Sequence, residues 1–212
     1  MFTWTSKLGA VLAALTALSA CVPSEMGMLS ASASRAMAVS GGAVTVAGPT
    51  GYCVDKGPSR DSPTGAFVLL GTCAALTGSA TTGQPTYPAI LTATVLPGAP
   101  DGAFEEHLPA MAAFFRSDPG RAALSRSGRA EDVTLSQVLS RGDVLYLRLQ
   151  DRSAVAGQPV ESEYWRAILQ VRGRIVTLSA LGLQDRPVPT QEKRRVLEAF
   201  VARVLAANAA QG

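Results

Sequence analysis

Three cysteines and one histidine are the side chains of this 212-residue sequence whose chemistry could define a site: Cys21, Cys53, Cys73 and His107. Cys53 and Cys73 close the stretch GYCVDKGPSRDSPTGAFVLLGTC, residues 51–73. With His107 they would offer zinc at most three ligands, whereas a structural zinc site takes four and a catalytic one keeps three plus water. They lack the C-x-x-C spacing of a redox pair. A thiol nucleophile needs an unpaired sulfur and an adjacent base, and His107 stands in no such motif. A disulfide fits best if the domain is exported to an oxidising compartment, and it would close a loop of about 20 residues.

Other chemistry is hard to assemble. The chain has no Walker loop, GxGxxG, GxSxG, HExxH or SxxK motif. Asp55-Lys56-Gly57 is only a fragment of the P-type ATPase phosphorylation motif, and the helices of those pumps are missing. Glu105 and Glu106 are adjacent, so on a helix they do not face one another and read as a helix start. The expectation is a protein that is not an enzyme, with no cofactor, no metal and no catalytic residue.

The compartment is addressed at the N-terminus, MFTWTSKLGAVLAALTALSAC. Lys7 and the free amine make a positive start, and residues 8–17 form an apolar run of about ten residues, too short to span a bilayer but suited to a secretory signal. Leu18-Ser19-Ala20-Cys21 then resembles the lipobox of bacterial lipoproteins. The resemblance implies a diacylglycerol on the Cys21 sulfur, cleavage just before it and acylation of the new amine. Acyl chains, at roughly 0.8 kcal/mol per buried methylene, then hold the protein on a membrane surface. Val22 stands where an Asp would favour the inner membrane, so the resemblance points to the periplasmic face of the outer membrane. The segments GPTGYC, GTC and YWRAILQVRGR are similar to those of alphaproteobacterial envelope lipoproteins. That likeness implies a location and brings no activity with it.

Residues 1–20 therefore read as signal peptide and 21–43 as a lipidated, Ser/Ala/Gly-rich tether, with 44–212 as one domain large enough to bury a core. The net charge is +3, of which Lys7 belongs to the signal. So small an excess gives no reason to expect nucleic acid as a partner. The expected contacts are a membrane, through the lipid, and an envelope protein.

Residues 44–47, 67–73 and 88–96 are β-rich runs. Asp101 can cap a helix whose apolar face is Phe104, Leu108, Met111, Ala112 and Phe115; Pro109 would kink it or sit in its first turn. Two hairpins follow, 132–150 turning at Arg141-Gly142-Asp143 and 164–181 turning at Arg172-Gly173. Thr190 can cap a last helix striped by Val196, Leu197, Phe200, Val201, Val204 and Leu205. The fold class is α+β: an antiparallel meander of hairpins packed against a long C-terminal helix and one shorter helix, with one disulfide.

Alternation sets Leu145, Leu147 and Leu149 against Tyr146, Arg148 and Gln150, and sets Trp165 and Leu169 against Tyr164 and Arg166. With the leucines and Trp165 taken as one core face, Tyr146, Arg148, Tyr164 and Arg166 become a candidate binding surface, since Tyr and Arg are enriched at hot spots. The functional expectation is a membrane-anchored, non-enzymatic interaction or assembly-support domain. The alternative is a periplasmic small-ligand or lipid-binding module, with a pocket near Trp165 and Phe200.

Overall fold

The computed structural model describes residues 33–79, 84–153 and 159–209. Cys21, the signal and the first part of the tether lie outside these residues. Strands β1 (Ala36–Val39) and β2 (Val44–Ala47) form a small antiparallel hairpin. The main sheet has seven strands, all antiparallel to their neighbours. It contains β3 (Tyr52–Ser62), β4 (Gly65–Thr72), β5 (Ile90–Val95), β6 (Val133–Arg141), β7 (Val144–Asp151), β8 (Val160–Val171) and β9 (Arg174–Leu183). Their order in space is β3-β4-β5-β9-β8-β7-β6. Two meanders are thus zipped together where β5 pairs β9. Short helix α1 (Cys73–Thr77) follows β4, while α2 (Phe104–Arg116) and α3 (Asp118–Leu124) lie between the meanders. The long helix α4 (Thr190–Asn208) comes last.

The hairpin turns are written locally. Arg172 (φ 50) and Gly173 (φ 69) are both left-handed, the geometry that lets a two-residue loop follow the strand twist. Among the described residues no helix is long and apolar enough to cross a membrane.

Each face of the sheet has its own core, because helices lie on both sides. On one face Leu197, Phe200, Val201 and Val204 of α4 pack with Trp165, Ala167, Leu178 and Ala180, joined by Val39, Val44 and Val46 of the small hairpin. On the other, Phe104 and Leu108 of α2 and Leu124 of α3 pack with Leu145, Leu147, Leu149, Tyr164 and Ile168. Trp165 and Phe200 are 2% and 0% exposed, so the space between sheet and last helix around them is filled.

The folded domain starts earlier than residue 44. Val39 is fully buried, Gly48 N donates to Arg35 O (2.9 Å) and Val54 N to Ser34 O (2.7 Å). The expected tether therefore ends before Ser34, because Met37 and Val39 in its Ser/Ala-rich run supply apolar contacts. The loop between the cysteines is a β-hairpin, β3–β4, with an irregularity between Asp55 and Arg60. Neither expected cap is used. Helix α2 starts after Ala103, with no side-chain cap. It begins at Phe104, so Pro109 lies inside it, at an exposed position. Pro189, not Thr190, precedes α4. Asn208 closes the far end of α4 by bonding both backbone groups of Thr45, at 2.8 and 2.7 Å, which blunts the edge of β2.

Cys53 and Cys73 are bonded, with Cα atoms 4.8 Å apart and both residues buried. The bridge ties β3 to the first turn of α1, where Thr72 Oγ1 accepts from Ala75 N (3.2 Å) as the helix cap. Replacing both cysteines with alanine should lower stability by roughly 3 kcal/mol through the freed loop of the unfolded chain. Urea unfolding of the oxidised protein and the variant measures this, and equal midpoints would show that the bridge contributes nothing.

Candidate functional site

The four residues expected to share a binding surface do not share one. In the register of β7 with β8, Leu147 stands opposite Arg166, Leu149 opposite Tyr164 and Arg148 opposite Trp165. Cross-strand partners lie on the same face. Tyr146 and Arg148 therefore join Trp165 on the α4 side, while Tyr164 and Arg166 join the leucines on the α2/α3 side. Alternation within each strand is as expected, but the offset between the strands differs by one residue, which flips one strand's set. Tyr146 and Tyr164 are also buried, at 4% and 1% exposure. Tyr164 Oη donates to Leu124 O (3.4 Å), anchoring α3. The Arg166 guanidinium lies 5.3 Å from the centre of the Tyr164 ring, and its Nε donates to Ser179 Oγ (3.2 Å). That pair braces the sheet.

The structure gathers a different set of polar residues where α4 begins. Lys193 is 1% exposed. Its Nζ donates to Glu161 Oε2 (3.1 Å) and to Glu163 O (2.8 Å), and lies 3.7 Å from Glu163 Oε1. Thr190 Oγ1, freed from capping, donates to Glu163 Oε1, and Arg148 Nη2 donates to Glu163 Oε2 (2.6 Å). Val188 N donates to Glu161 Oε2 (3.1 Å). Two carboxylates, two cations and a hydroxyl thus join β7, β8 and α4.

Gly182 makes room for this junction. A Cβ there would stand 1.7 Å from Glu161 Oε2 and 2.9 Å from Val188 N. Burial opposes the charge on Glu163, but the hydrogen bonds from Thr190 and Arg148 and the charges of Arg148 and Lys193 outweigh it. The carboxyl titrates below its ordinary value of 4.5. Both carboxylates are committed to partners inside the fold, so the arrangement positions α4 and offers no free acid or base.

One sequence signal could have found this junction. Lys193 falls on the apolar stripe of α4, four residues before Leu197 and seven before Phe200. A lysine there is either snorkelling to solvent or buried with acids, and Glu161 and Glu163, two apart on a strand, supply a pair on one face.

Beside the junction, Arg194 lies with its guanidinium carbon 5.4 Å from the Trp165 ring centre. Glu198 Oε1 accepts from Arg194 Nε (2.9 Å) and Arg141 Nη1 (3.1 Å). An open cleft of about 290 Å³ runs along this flank of α4, lined by Gln191, Arg194, Arg195 and Glu198. Two donors on the strand pair facing this helix, Arg148 Nε and Trp165 Nε1, are buried and have no hydrogen-bond partner among the described residues.

A second buried carboxylate, Asp151, is fully enclosed. It accepts from Arg126 N (2.9 Å), Arg126 Nε (3.0 Å), Ser153 N (2.9 Å) and Ser153 Oγ. Burial raises its pKa, yet these bonds and the Arg126 charge hold it below the ordinary 3.8. It fastens the loop after α3 to the end of β7. His107 is remote from both cysteines in sequence and contacts the Asp101 carbonyl at 2.8 Å. Among the described residues no three of His, Cys, Asp and Glu are grouped so as to hold a metal ion.

No protein-family model matches the chain, and a search of curated proteins finds no match either. The functional reading rests on residues and geometry.

Two outcomes test the junction. Lys193→Met should cost about 1–3 kcal/mol by leaving the partly buried Glu161 carboxylate without its cation, and Gly182→Ala should destabilise by displacing Glu161; wild-type urea midpoints in both would show the junction to be idle. The pH dependence has a definite sign. Because the folded pKa of Glu163 is depressed, its contribution is fully present above about 4.5 and is lost as pH falls through the folded value. Between pH 7 and 3 the midpoint of wild type should fall more steeply than that of Glu163→Gln, with the difference confined below about 4.5; parallel curves would exclude the linkage.

Proposed function

We propose that this chain is an envelope lipoprotein, held by a lipid on Cys21 to the periplasmic face of the outer membrane, whose domain is a non-enzymatic interaction or assembly-support module for an envelope partner. The observation that carries the reading is Leu18-Ser19-Ala20-Cys21 directly after a short apolar run. The Cys53–Cys73 bond supports it, since a buried disulfide in a domain of this size suits an oxidising compartment. The fate of the ionisable groups supports the non-enzymatic part. Lys193, Glu161, Glu163 and Asp151 satisfy one another or the backbone instead of converging on a cleft. The filled core around Trp165 and Phe200 argues against an apolar ligand pocket between sheet and last helix.

In a Gram-negative host, wild type should take up labelled fatty acid and fractionate with membranes. Cys21→Ala should abolish the labelling and accumulate an uncleaved precursor. Labelling that survives the substitution would overturn the anchor.

A further inference from the structure

We propose that the flank of α4 over β7 and β8 is a recognition site for an oxyanion, a carboxylate or a phosphate group, received by Trp165 Nε1 and Arg148 Nε and closed by Arg194. Buried polar groups are paired in nearly every case, and leaving one unmatched costs about 1–3 kcal/mol. Here two unmatched groups occur together, on residues that are direct cross-strand partners and face the same side of the sheet. Both are donors. Residues so paired have Cβ atoms about 5 Å apart, so the two side chains leave the sheet side by side on the α4 face.

The surroundings favour a negative group. The Arg148 guanidinium is anchored at its far end by Glu163, which fixes the side chain and leaves Nε as its unspent donor. The third cation, Arg194, both lies over the Trp165 ring and lines the cleft, and its side chain is about one-third exposed. A rotation of that side chain about its Glu198 contact would open the cleft to the two donors and bring a further guanidinium to the incoming anion. The acids nearest the site are already neutralised: Glu198 by Arg141 and Arg194, Glu163 by Arg148 and Lys193. The site is independent of the lipid anchor, so either can fail without the other.

The chain has two tryptophans, Trp4 and Trp165; Trp4 lies in the proposed signal, so in the mature protein, or in the full-length chain carrying Trp4→Phe, Trp165 is the sole reporter. Its emission is followed while sodium acetate or inorganic phosphate replaces chloride at constant ionic strength. A saturable change with either anion is expected, and the arm that saturates at lower concentration tells carboxylate from phosphate. Arg148→Lys removes the Nε donor and should weaken binding at least tenfold. Arg194→Gln, at a side chain about one-third exposed, should weaken it as well and slow or abolish the emission change. Trp165→Phe, read by calorimetry, should lose the heat of binding. The proposal is overturned if neither anion saturates, if the variants bind like wild type while folded by circular dichroism, or if a high-resolution crystal structure in acetate shows only a structural water bridging the two donors.

Discussion

The pairing of β7 with β8 determines which side chains of the sheet meet which helix. With Arg148 opposite Trp165 and Leu147 opposite Arg166, the leucines of β7 and the Trp165–Ala167–Leu169 row of β8 go to opposite faces. Each face then carries enough apolar surface to need a helix. The faces are divided unequally. Helix α4 lies over β8 and β9 on one side, while α2 and α3 lie over β6 and β7 on the other. A slip of one residue in β8 would put Trp165 among the leucines on the α2/α3 side and bring Tyr164 and Arg166 to the α4 side beside Tyr146 and Arg148, so the register is held by both cores at once.

Helix α4 is positioned by more than apolar contact. An apolar stripe packed on an apolar sheet can slide, because hydrophobic attraction is not directional. The Lys193 junction removes that freedom: its bonds reach Glu161 and Glu163 on one strand and, through Glu163, Arg148 on the next. Buried ion clusters of this kind contribute little net stability compared with an apolar replacement, and their use lies in specifying one arrangement. Gly182 belongs to the same device, because only a residue without a side chain leaves space for the Glu161 carboxylate. At the other end Asn208 fixes α4 to β2. Between those two fixings the flank of α4 is held at a set distance from β7.

What could be read from the residues follows the range of each interaction. The hairpins at Gly142 and Gly173, the alternation within β7 and β8, the stripe of α4 and the Cys53–Cys73 bond are local or combinatorially simple, and all are present, except that Leu205, expected on that stripe, is exposed. Neither expected cap forms: α2 starts after Ala103, two residues past Asp101, and α4 starts after Pro189. Thr190 is drawn to Glu163, a partner 27 positions away in the chain. Strand β3 escaped notice because Gly57 and Pro58 interrupt its pattern, and its irregularity between Asp55 and Arg60 absorbs them. The candidate surface failed for a purely relational reason. Each strand's two faces were legible, but nothing in either strand states its offset against the other. The lysine on the stripe of α4 was visible too, and it needed the sheet to supply the acids.

The contrast between satisfied and unsatisfied groups is what gives the α4 flank its interest. Asp151 uses both carboxylate oxygens, Glu163 accepts from two different side chains, and the buried Tyr52 hydroxyl accepts from Ala89 N (3.1 Å). A fold that matches its interior polar groups so closely has selected against loose donors. Trp165 Nε1 and Arg148 Nε depart from that pattern at adjoining positions, beneath the helix whose placement is most tightly specified. Phenylalanine at 165 would fill much of the same apolar space without a donor, and a lysine at 148 would still reach Glu163. Indole and guanidinium each add an N–H that no described residue accepts. Donors that are rigidly held, shielded from water and unused by the fold are preorganised for an acceptor brought from outside.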